Sequence, residues 1–127
     1  MSKIKYSSDT EWEKNFSYSR AVRAGNRIIV AGTTAIEDGK VIGKNNAYDQ
    51  TIFILNKIEK VIEEAGGKRS DIVRTRMYVT DISMHLEVGR AHGEFFINIK
   101  PASTMVEVKA LIHPDLIIEI EAEAIID

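Results

Sequence analysis

The sequence predicts an α+β fold in which one mixed β-sheet carries two α-helices on one of its faces. Stretches at both ends and in the middle of the chain alternate apolar and polar residues, which indicates strands. Two stretches between them place apolar residues every three or four positions, which indicates amphipathic helices. The resulting order is two strands, a helix, a strand, a helix and two strands. The first helix makes a crossover of the length that parallel strand pairing needs.

The composition predicts a single globular domain over residues 1–127. Hydrophobic residues make up 44% and charged residues 28% of the chain, as in an ordinary globular protein. A net charge of −2 gives no general attraction to nucleic acid or to an anionic membrane. We expect no leader, no membrane span and a cytoplasmic location. The absence of cysteine excludes disulfides, a thiolate nucleophile and cysteine-ligated zinc.

The first part of the chain is predicted to form a hairpin. Residues 1–12 show no periodicity and are expected to be an irregular lead-in. Residues 18–22 and 27–33 alternate as strands, and Gly25-Asn26 between them favours a tight turn. A second turn is predicted at Glu-Asp-Gly-Lys, residues 37–40.

Two helices and a strand follow. The first helix is predicted from about 46 to 65, and Gly66-Gly67 ends it because glycine accepts the left-handed conformation of a C-cap. Residues 72–79 then alternate as a strand. The second helix is expected over about 83–96, with Ser83 as its N-cap and Pro101 soon after its end. The apolar sides are Ile54, Leu55, Ile58, Val61, Ile62 and Ala65 in the first helix and Leu86, Val88, Ala91, Phe95 and Phe96 in the second.

The last two strands are predicted within residues 101–127, and they leave one sheet face charged. The helix side would carry Ile118, Ile120, Ala122 and Ala124 with Val73, Thr75, Met77 and Val79. The opposite face would carry Glu119, Glu121 and Glu123 with Arg74, Arg76 and Tyr78. One interpretation is a subunit interface with charge pairs, and therefore a homo-oligomer. The other is a solvated open sheet face, which antiparallel sheets tolerate.

Several common functional motifs are missing. The chain has no GxGxxG, no phosphate-binding glycine loop and no GxSxG. His85, His92 and His113 lack the HExxH spacing, so neither a metal nor another cofactor is expected. Basic and aromatic residues do not alternate in a nucleic-acid-binding stripe.

Glu119 is the candidate for acid–base catalysis. Apolar residues 116–118 precede it and Ile120 follows, so burial there would raise its pKa toward neutrality. The alternative is a structural ion pair with Arg74 or Arg76, and the residues alone favour this alternative.

His92 is a second candidate, on the predicted second helix beside Arg90 and Gly93, which could open room for a ligand. The alternative, an ordinary histidine on a helix face, is favoured by the spacing. Gly89 and Gly93 each cost a helix roughly 1 kcal/mol relative to alanine, which indicates close packing or a ligand.

Two further pairs are candidates for substrate contact. Tyr18 and Arg20 are predicted on the strand face of the interface, where tyrosine could donate to a substrate oxygen; the alternative is a packing tyrosine. Ser103 and Thr104 stand at a strand start, where a hydroxyl and free backbone N–H groups could bind an oxyanion. The alternative is an ordinary strand entry.

An ordered set of short motifs over about residues 16–126 resembles the Rid/YjgF family of small imine-handling proteins. The motifs are Tyr18 ahead of Ala21-Val22 and Gly25-Asn26, Ile28-Ile-Val-Ala-Gly32, Ala65-Gly-Gly with Asp71-Ile-Val-Arg-Thr, Tyr78-Val-Thr-Asp81, Glu94-Phe-Phe96, Pro101-Ala, Val106-Glu-Val108 and Ile118-Glu-Ile-Glu-Ala122. The resemblance implies a chorismate-mutase-like fold of the bacillus type and a homotrimer with ligand clefts between subunits. It also implies hydrolysis of enamines and imines, such as 2-iminopropanoate, to 2-oxo acids and ammonia.

In the best-known members, an arginine after Pro-Ala binds the substrate carboxylate, a glutamate of the last strand activates water and a tyrosine lines the cleft. Tyr18 matches that tyrosine and Glu119 matches that glutamate, but Ser103 occupies the arginine position. Serine cannot form the bidentate pair that guanidinium makes with a carboxylate. Ala31 replaces a frequent serine, and Gly89 stands where those members place an amide. The chain is therefore similar to subgroups that lack the arginine.

Two functional hypotheses follow. The first is hydrolysis of a small imine, enamine or related C–N substrate other than 2-iminopropanoate, with Glu119 handling water. Tyr18, Ser103 and Thr104 would contact the substrate, and Arg20, Arg90 or His92 would supply the missing cation. The second is a trimeric ligand-binding or chaperone-like protein without turnover. RNA cleavage, an activity attached to relatives, is disfavoured by the acidic balance.

Overall fold

A six-stranded sheet with helices packed on one face forms the body of the fold, which confirms the predicted α+β class. The computed structural model describes residues 2–127. The strands are β1 (Lys3–Tyr6), β2 (Ala21–Ala24), β3 (Arg27–Thr34), β4 (Ile36–Glu37), β5 (Lys40–Val41), β6 (Ile72–Val79), β7 (Ala102–Glu107) and β8 (Ile118–Ile125). The helices are α1 (Glu11–Phe16), α2 (Ala47–Glu64) and α3 (His85–Phe95).

The strand order of the large sheet is β1-β2-β3-β8-β6-β7, and β4 pairs with β5 in a separate ribbon. β8 lies between β3 and β6 and is antiparallel to both. The crossover through α2 therefore gives β3 and β6 the same direction without making them neighbours. The parallel pair is β6 with β7, which are connected through α3.

The hydrophobic core lies between the sheet and the two long helices. The side chains of Ile54, Leu55, Ile58 and Ile62 on α2 are almost completely buried. They pack in one cluster with the inward side chains of the central strands, Ile28, Val30, Ile118 and Ile120. Burial of each such side chain contributes about 1.5–3 kcal/mol, so this cluster positions β8 and everything that β8 carries.

Helix α2 agrees closely with the prediction, whereas the start of α3 differs. Asn46 caps α2 by accepting from the backbone N–H of Asp49 at 2.9 Å, and Gly66 takes a left-handed φ of 96° after the helix end. Ser83 is not the cap of the second helix. Asp81 accepts from the Ser83 N–H instead, and a 3₁₀ turn precedes α3. Leu86, predicted on the apolar side, is 74% exposed.

The irregular lead-in predicted for residues 1–12 is wrong at residues 3–6 and 11–12, which lie in β1 and α1, while Met1 lies outside the described residues. β1 pairs antiparallel with β2, and Thr10 caps α1. Glu13 accepts hydrogen bonds from Ser7 and Ser8 and ties the segment between β1 and α1 together. The pattern Thr10-x-x-Glu13 is the capping-box signal that indicates this helix start.

Two β-bulges change which side chains face the core. One lies between Ile72 and Arg74, so Ile72 is buried while Val73 is 40% exposed, contrary to the predicted alternation. The other bulge lies between Val30 and Thr33 and contains Gly32.

Among residues 2–127, no helix is both long and apolar enough to cross a bilayer.

Candidate functional site

Glu119 lies over a glycine on the sheet face opposite the helices. The alternation of β8 directs it there, across from Thr34 on β3 and Tyr78 on β6. A Cβ atom added to Gly32 would collide with Oε2 of Glu119. The bulge in β3 therefore supplies the space that the half-buried carboxylate occupies.

The other two glutamates of β8 are paired. Arg76 Nη1 lies 3.7 Å from Glu121 Oε1 and 3.4 Å from Glu123 Oε1, and Arg27 lies 3.1 Å from Glu123. The Tyr78 hydroxyl donates to Glu121 at 2.6 Å. Within residues 2–127, no side chain hydrogen-bonds or forms an ion pair with the Glu119 carboxylate. The ion pair with Arg74 or Arg76 that was the alternative for Glu119 does not form in the chain.

The surroundings of Glu119 favour its protonated form. Burial raises the pKa of Glu119, and the charge of Glu121 adds to the rise, while the charge of Arg20 opposes it. The net shift is upward. A carboxylate whose pKa moves toward neutrality can both take and return a proton near physiological pH, as a general base and acid must.

Arg20 and Tyr18 lie together beside this carboxylate, but not in a strand as predicted. Both precede β2, which begins at Ala21. Arg20 donates through Nη2 to the carbonyl oxygen of Gly32, the glycine beneath Glu119. The guanidinium carbon of Arg20 lies 6.0 Å from the centre of the Tyr18 ring, and Tyr18 is 41% exposed.

Ser103 belongs to a separate group of hydrogen-bonded side chains on the helix side of the sheet. Its Oγ lies 2.8 Å from Thr75 Oγ1, which lies 2.8 Å from His92 Nε2. Thr75 is fully buried, and burial lowers the pKa of His92. A neutral imidazole can accept from Thr75, which can in turn accept from Ser103. His92 is therefore neither a solvent-exposed histidine nor a free cation.

A single chain does not bring Glu119 and Ser103 together. β6 lies between the strands that carry them, and the two side chains are on opposite sheet faces. Thr104, the next residue of β7, lies on the same face as Glu119, beside Arg76.

Arg90 lies elsewhere, on the surface where α2 and α3 meet. It is 3.6 Å from Glu94 and its guanidinium carbon is 4.0 Å from the centre of the Tyr48 ring. The nearby glycines are not explained by contacts in the chain, because a Cβ at Gly89 or Gly93 would meet no atom within 4 Å.

Sequence reasoning missed Lys57, whose Nζ donates to the carbonyl oxygens of Thr34 and Ile36 at 3.0 and 3.1 Å. The sequence did contain a signal for this buried lysine. Lys57 stands three residues after Ile54 and four before Val61, a helix-face position otherwise held by apolar residues.

Within residues 2–127, no group of three His, Asp or Glu side chains is arranged to hold a metal ion.

Known proteins resemble the chain over nearly its whole length. The family model described as endoribonuclease L-PSP matches residues 10–126. An uncharacterised protein of Streptomyces coelicolor is 35% identical over 92% of this chain and 87% of its own length. A RutC family protein of Pyrococcus abyssi is 36% identical over 84% of each chain.

Solved structures agree with the sequence matches. A Mycobacterium tuberculosis protein, described as a member of the YjgF/YER057c/UK114 family, has a TM-score of 0.89 at 46% identity, covering 98% of this chain and 100% of that one. A Yersinia pestis protein of unknown function, described as belonging to the conserved Rid family, has a TM-score of 0.85 at 26% identity over 98% and 100%. The fold is thus the chorismate-mutase-like one that the resemblance implied. On these sequence and structural matches together, the chain belongs to the Rid/YjgF family.

Proposed function

We propose that the protein hydrolyses a small imine, enamine or related C–N substrate, with Glu119 activating water. One observation carries the proposal: Glu119 is half-buried beside Arg20 and has no hydrogen-bonding partner within residues 2–127, whereas Glu121 and Glu123 are paired. A structural carboxylate at this depth would be expected to have a partner, because an unmatched buried charge is costly. A carboxylate that handles water or a substrate proton needs to remain free.

The chemistry requires one group that takes a proton and then returns it. Glu119 accepts a proton from water as the water oxygen bonds to the carbon of the protonated imine, which gives a neutral carbinolamine. It then returns that proton to the nitrogen. As the C–N bond breaks, the carbinolamine hydroxyl gives its proton to Glu119 and becomes the carbonyl, and the ammonia released takes this proton away as ammonium. The raised pKa of Glu119 suits both steps, because it makes the carboxylate a better base than an ordinary glutamate and brings its pKa closer to neutral pH.

The substrate is proposed to differ from 2-iminopropanoate. Ser103 offers a hydroxyl already hydrogen-bonded to Thr75, and it carries no charge for a carboxylate. Arg20 is the candidate replacement cation, because it lies beside Glu119, whereas Arg90 pairs with Glu94 and burial disfavours protonation of His92. Tyr18 and Thr104 are proposed as further substrate contacts.

We also propose a homotrimer with the site in a cleft between subunits. Glu119 and Ser103 lie on opposite sheet faces, so one ligand could contact both only if they came from two copies. The helix-free face also exposes apolar side chains, Ile29 at 46% and Val106 at 43%, beside its charge pairs. Such a mixture of apolar and paired charged groups suits a subunit interface.

The test is the release of ammonia and carbonyl product from freshly generated imines. The panel includes 2-iminopropanoate, imines with larger side chains and imines without a carboxylate. We expect turnover of at least one panel member, weak action on 2-iminopropanoate and a loss on the order of 10²-fold or more in Glu119→Gln. Equal rates in both proteins would remove Glu119 from the mechanism. Thermal stabilisation by panel members without any product would instead favour a ligand-binding protein.

A further inference from the structure

A pocket of about 320 Å³ lies on the helix side of the sheet, away from Ser103 and its hydrogen-bonded partners. It is bordered by α2, by the segment between β1 and α1, and by the residues around the end of β3. Its volume falls at the lower end of the range for small-molecule sites.

Arg20 lines this pocket with a guanidinium whose hydrogen bonding is incomplete. Nη2 donates to the carbonyl oxygen of Gly32, and Nε is buried without a hydrogen-bond acceptor among residues 2–127. The guanidinium charge has no carboxylate in salt-bridge contact among the described residues. An anion in the pocket would supply that partner, and anionic acceptors bind guanidinium most strongly.

Lys57 adds a second positive charge from α2. Two of its three ammonium donors bind backbone carbonyl oxygens, of Thr34 and Ile36, which leaves one for a ligand. Burial lowers the pKa of Lys57, the charge of Arg20 lowers it further, and Glu37 opposes both effects. The two cations are close enough to repel each other, so an anion between them would stabilise both charged forms.

The rest of the lining limits the ligand's charge and shape. The positive charges of Arg20, Lys57 and Lys60 face two carboxylates, of Glu37 and Glu64, which leaves a net charge of +1. A monoanion matches this balance better than a dianion does. The remaining wall includes Ile36, Phe53 and Val61, which would cover a short hydrocarbon group.

We propose that this pocket binds a small monocarboxylate with a short apolar tail, its carboxylate held between Arg20 and Lys57 and its tail on Phe53 and Val61. The ligand is a molecule separate from the imine substrate. The inference therefore does not rest on the proposed hydrolysis, and binding can be measured without turnover.

Isothermal titration at constant ionic strength with butanoate, butyramide and inorganic phosphate tests the proposal. We expect butanoate to bind, and both the uncharged amide and phosphate to bind about tenfold more weakly or worse. Absence of butanoate binding at tens of millimolar, equal binding of butyramide, or phosphate binding as tight as butanoate would each overturn it.

Variants locate the site. Lys57→Gln removes the charge and keeps an N–H donor, and it should raise the dissociation constant for butanoate about tenfold or more. Arg20→Gln should also raise this dissociation constant about tenfold or more, and circular dichroism checks that both variants fold.

Lys109→Gln is the matched control, because Lys109 is exposed and outside the pocket. Butanoate binding that is unchanged in a folded Lys57→Gln or Arg20→Gln protein, or that is weakened equally by Lys109→Gln, contradicts the assignment. Binding that persists without turnover of any imine would refute the proposed function alone.

Discussion

At the scale of single residues, Gly32 matters because the Glu119 carboxylate occupies the space where a side chain would stand. Gly32→Ala should displace the far end of the Glu119 side chain. Since that end is flexible and Gly32 has no left-handed φ, we expect a stability cost below about 1 kcal/mol but a loss of activity on the order of 10²-fold. Denaturant unfolding and steady-state rates measure the two effects. Full activity in Gly32→Ala would mean that the position of Glu119 over the glycine is unimportant.

Ser103 is the residue on which substrate choice should depend. Ser103→Arg should raise kcat/KM for 2-iminopropanoate about tenfold or more, because guanidinium can pair in a bidentate manner with the substrate carboxylate. Ser103→Lys is the matched control, and it should gain less because an ammonium group acts as a point charge. Equal increases of kcat/KM in both variants would show that a positive charge alone suffices. If neither variant increased kcat/KM, residue 103 would not contact the substrate.

Residue-level prediction was right for Glu119 only in part. The alternation of β8 directs it to the helix-free face, and burial raises its pKa as expected. The ion pair with Arg74 or Arg76 that the residues favoured does not form, because Arg76 pairs with Glu121 and Glu123. The contact of Arg20 with Gly32 could not be predicted, because it depends on a bulge in β3 that the alternation does not reveal. Likewise, the hydrogen bonds joining Ser103 to His92 require the parallel pairing of β6 with β7.

At the scale of elements, two glycines inside α3 are expected to lower the stability of that helix. Gly89 and Gly93 lie inside this helix, and an added Cβ at either would meet nothing within 4 Å. Gly89→Ala and Gly93→Ala should each stabilise an isolated chain by roughly 0.5–1 kcal/mol, because glycine loses the most backbone entropy in a helix. Urea unfolding measures the change. Destabilisation in the assembled protein instead would indicate that another subunit or a ligand packs against that helix face.

Elements were predicted best where both periodicity and end signals agreed. α2 had a continuous apolar period and a glycine stop, and its ends fall within one residue of the prediction. β1 and α1 were missed because each is short, and short elements leave too few repeats for a period to appear. β1 is stabilised by its pairing with β2, which is a tertiary feature. The Glu13 hydrogen bonds at the start of α1 are local, and the Thr10-x-x-Glu13 pattern was the signal that could have indicated them.

At the scale of the whole molecule, the helix-free sheet face should be covered by other copies of the chain. Sedimentation equilibrium should give a mass three times the 14.3 kDa of the chain. Arg76→Glu should weaken the assembly, because it places a like charge beside Glu121 and Glu123. A monomer at micromolar concentration would contradict the proposed interface. It would also contradict a site that contains both Glu119 and Ser103, because these side chains lie on opposite sheet faces of one chain.

The central claim, that Glu119 activates water, is tested most directly by kcat/KM measured against pH for the best imine substrate. The comparison is wild type with Glu119→Gln and Glu121→Gln, since both glutamates are half-buried on the same face and only Glu121 is paired. As a base, Glu119 works deprotonated, and its raised pKa moves the rising limb to a higher pH than an ordinary glutamate would give. We predict that Glu119→Gln loses about 10²-fold or more together with this limb, while Glu121→Gln keeps both. Equal losses in the two variants, or a limb that persists in Glu119→Gln, would contradict the account.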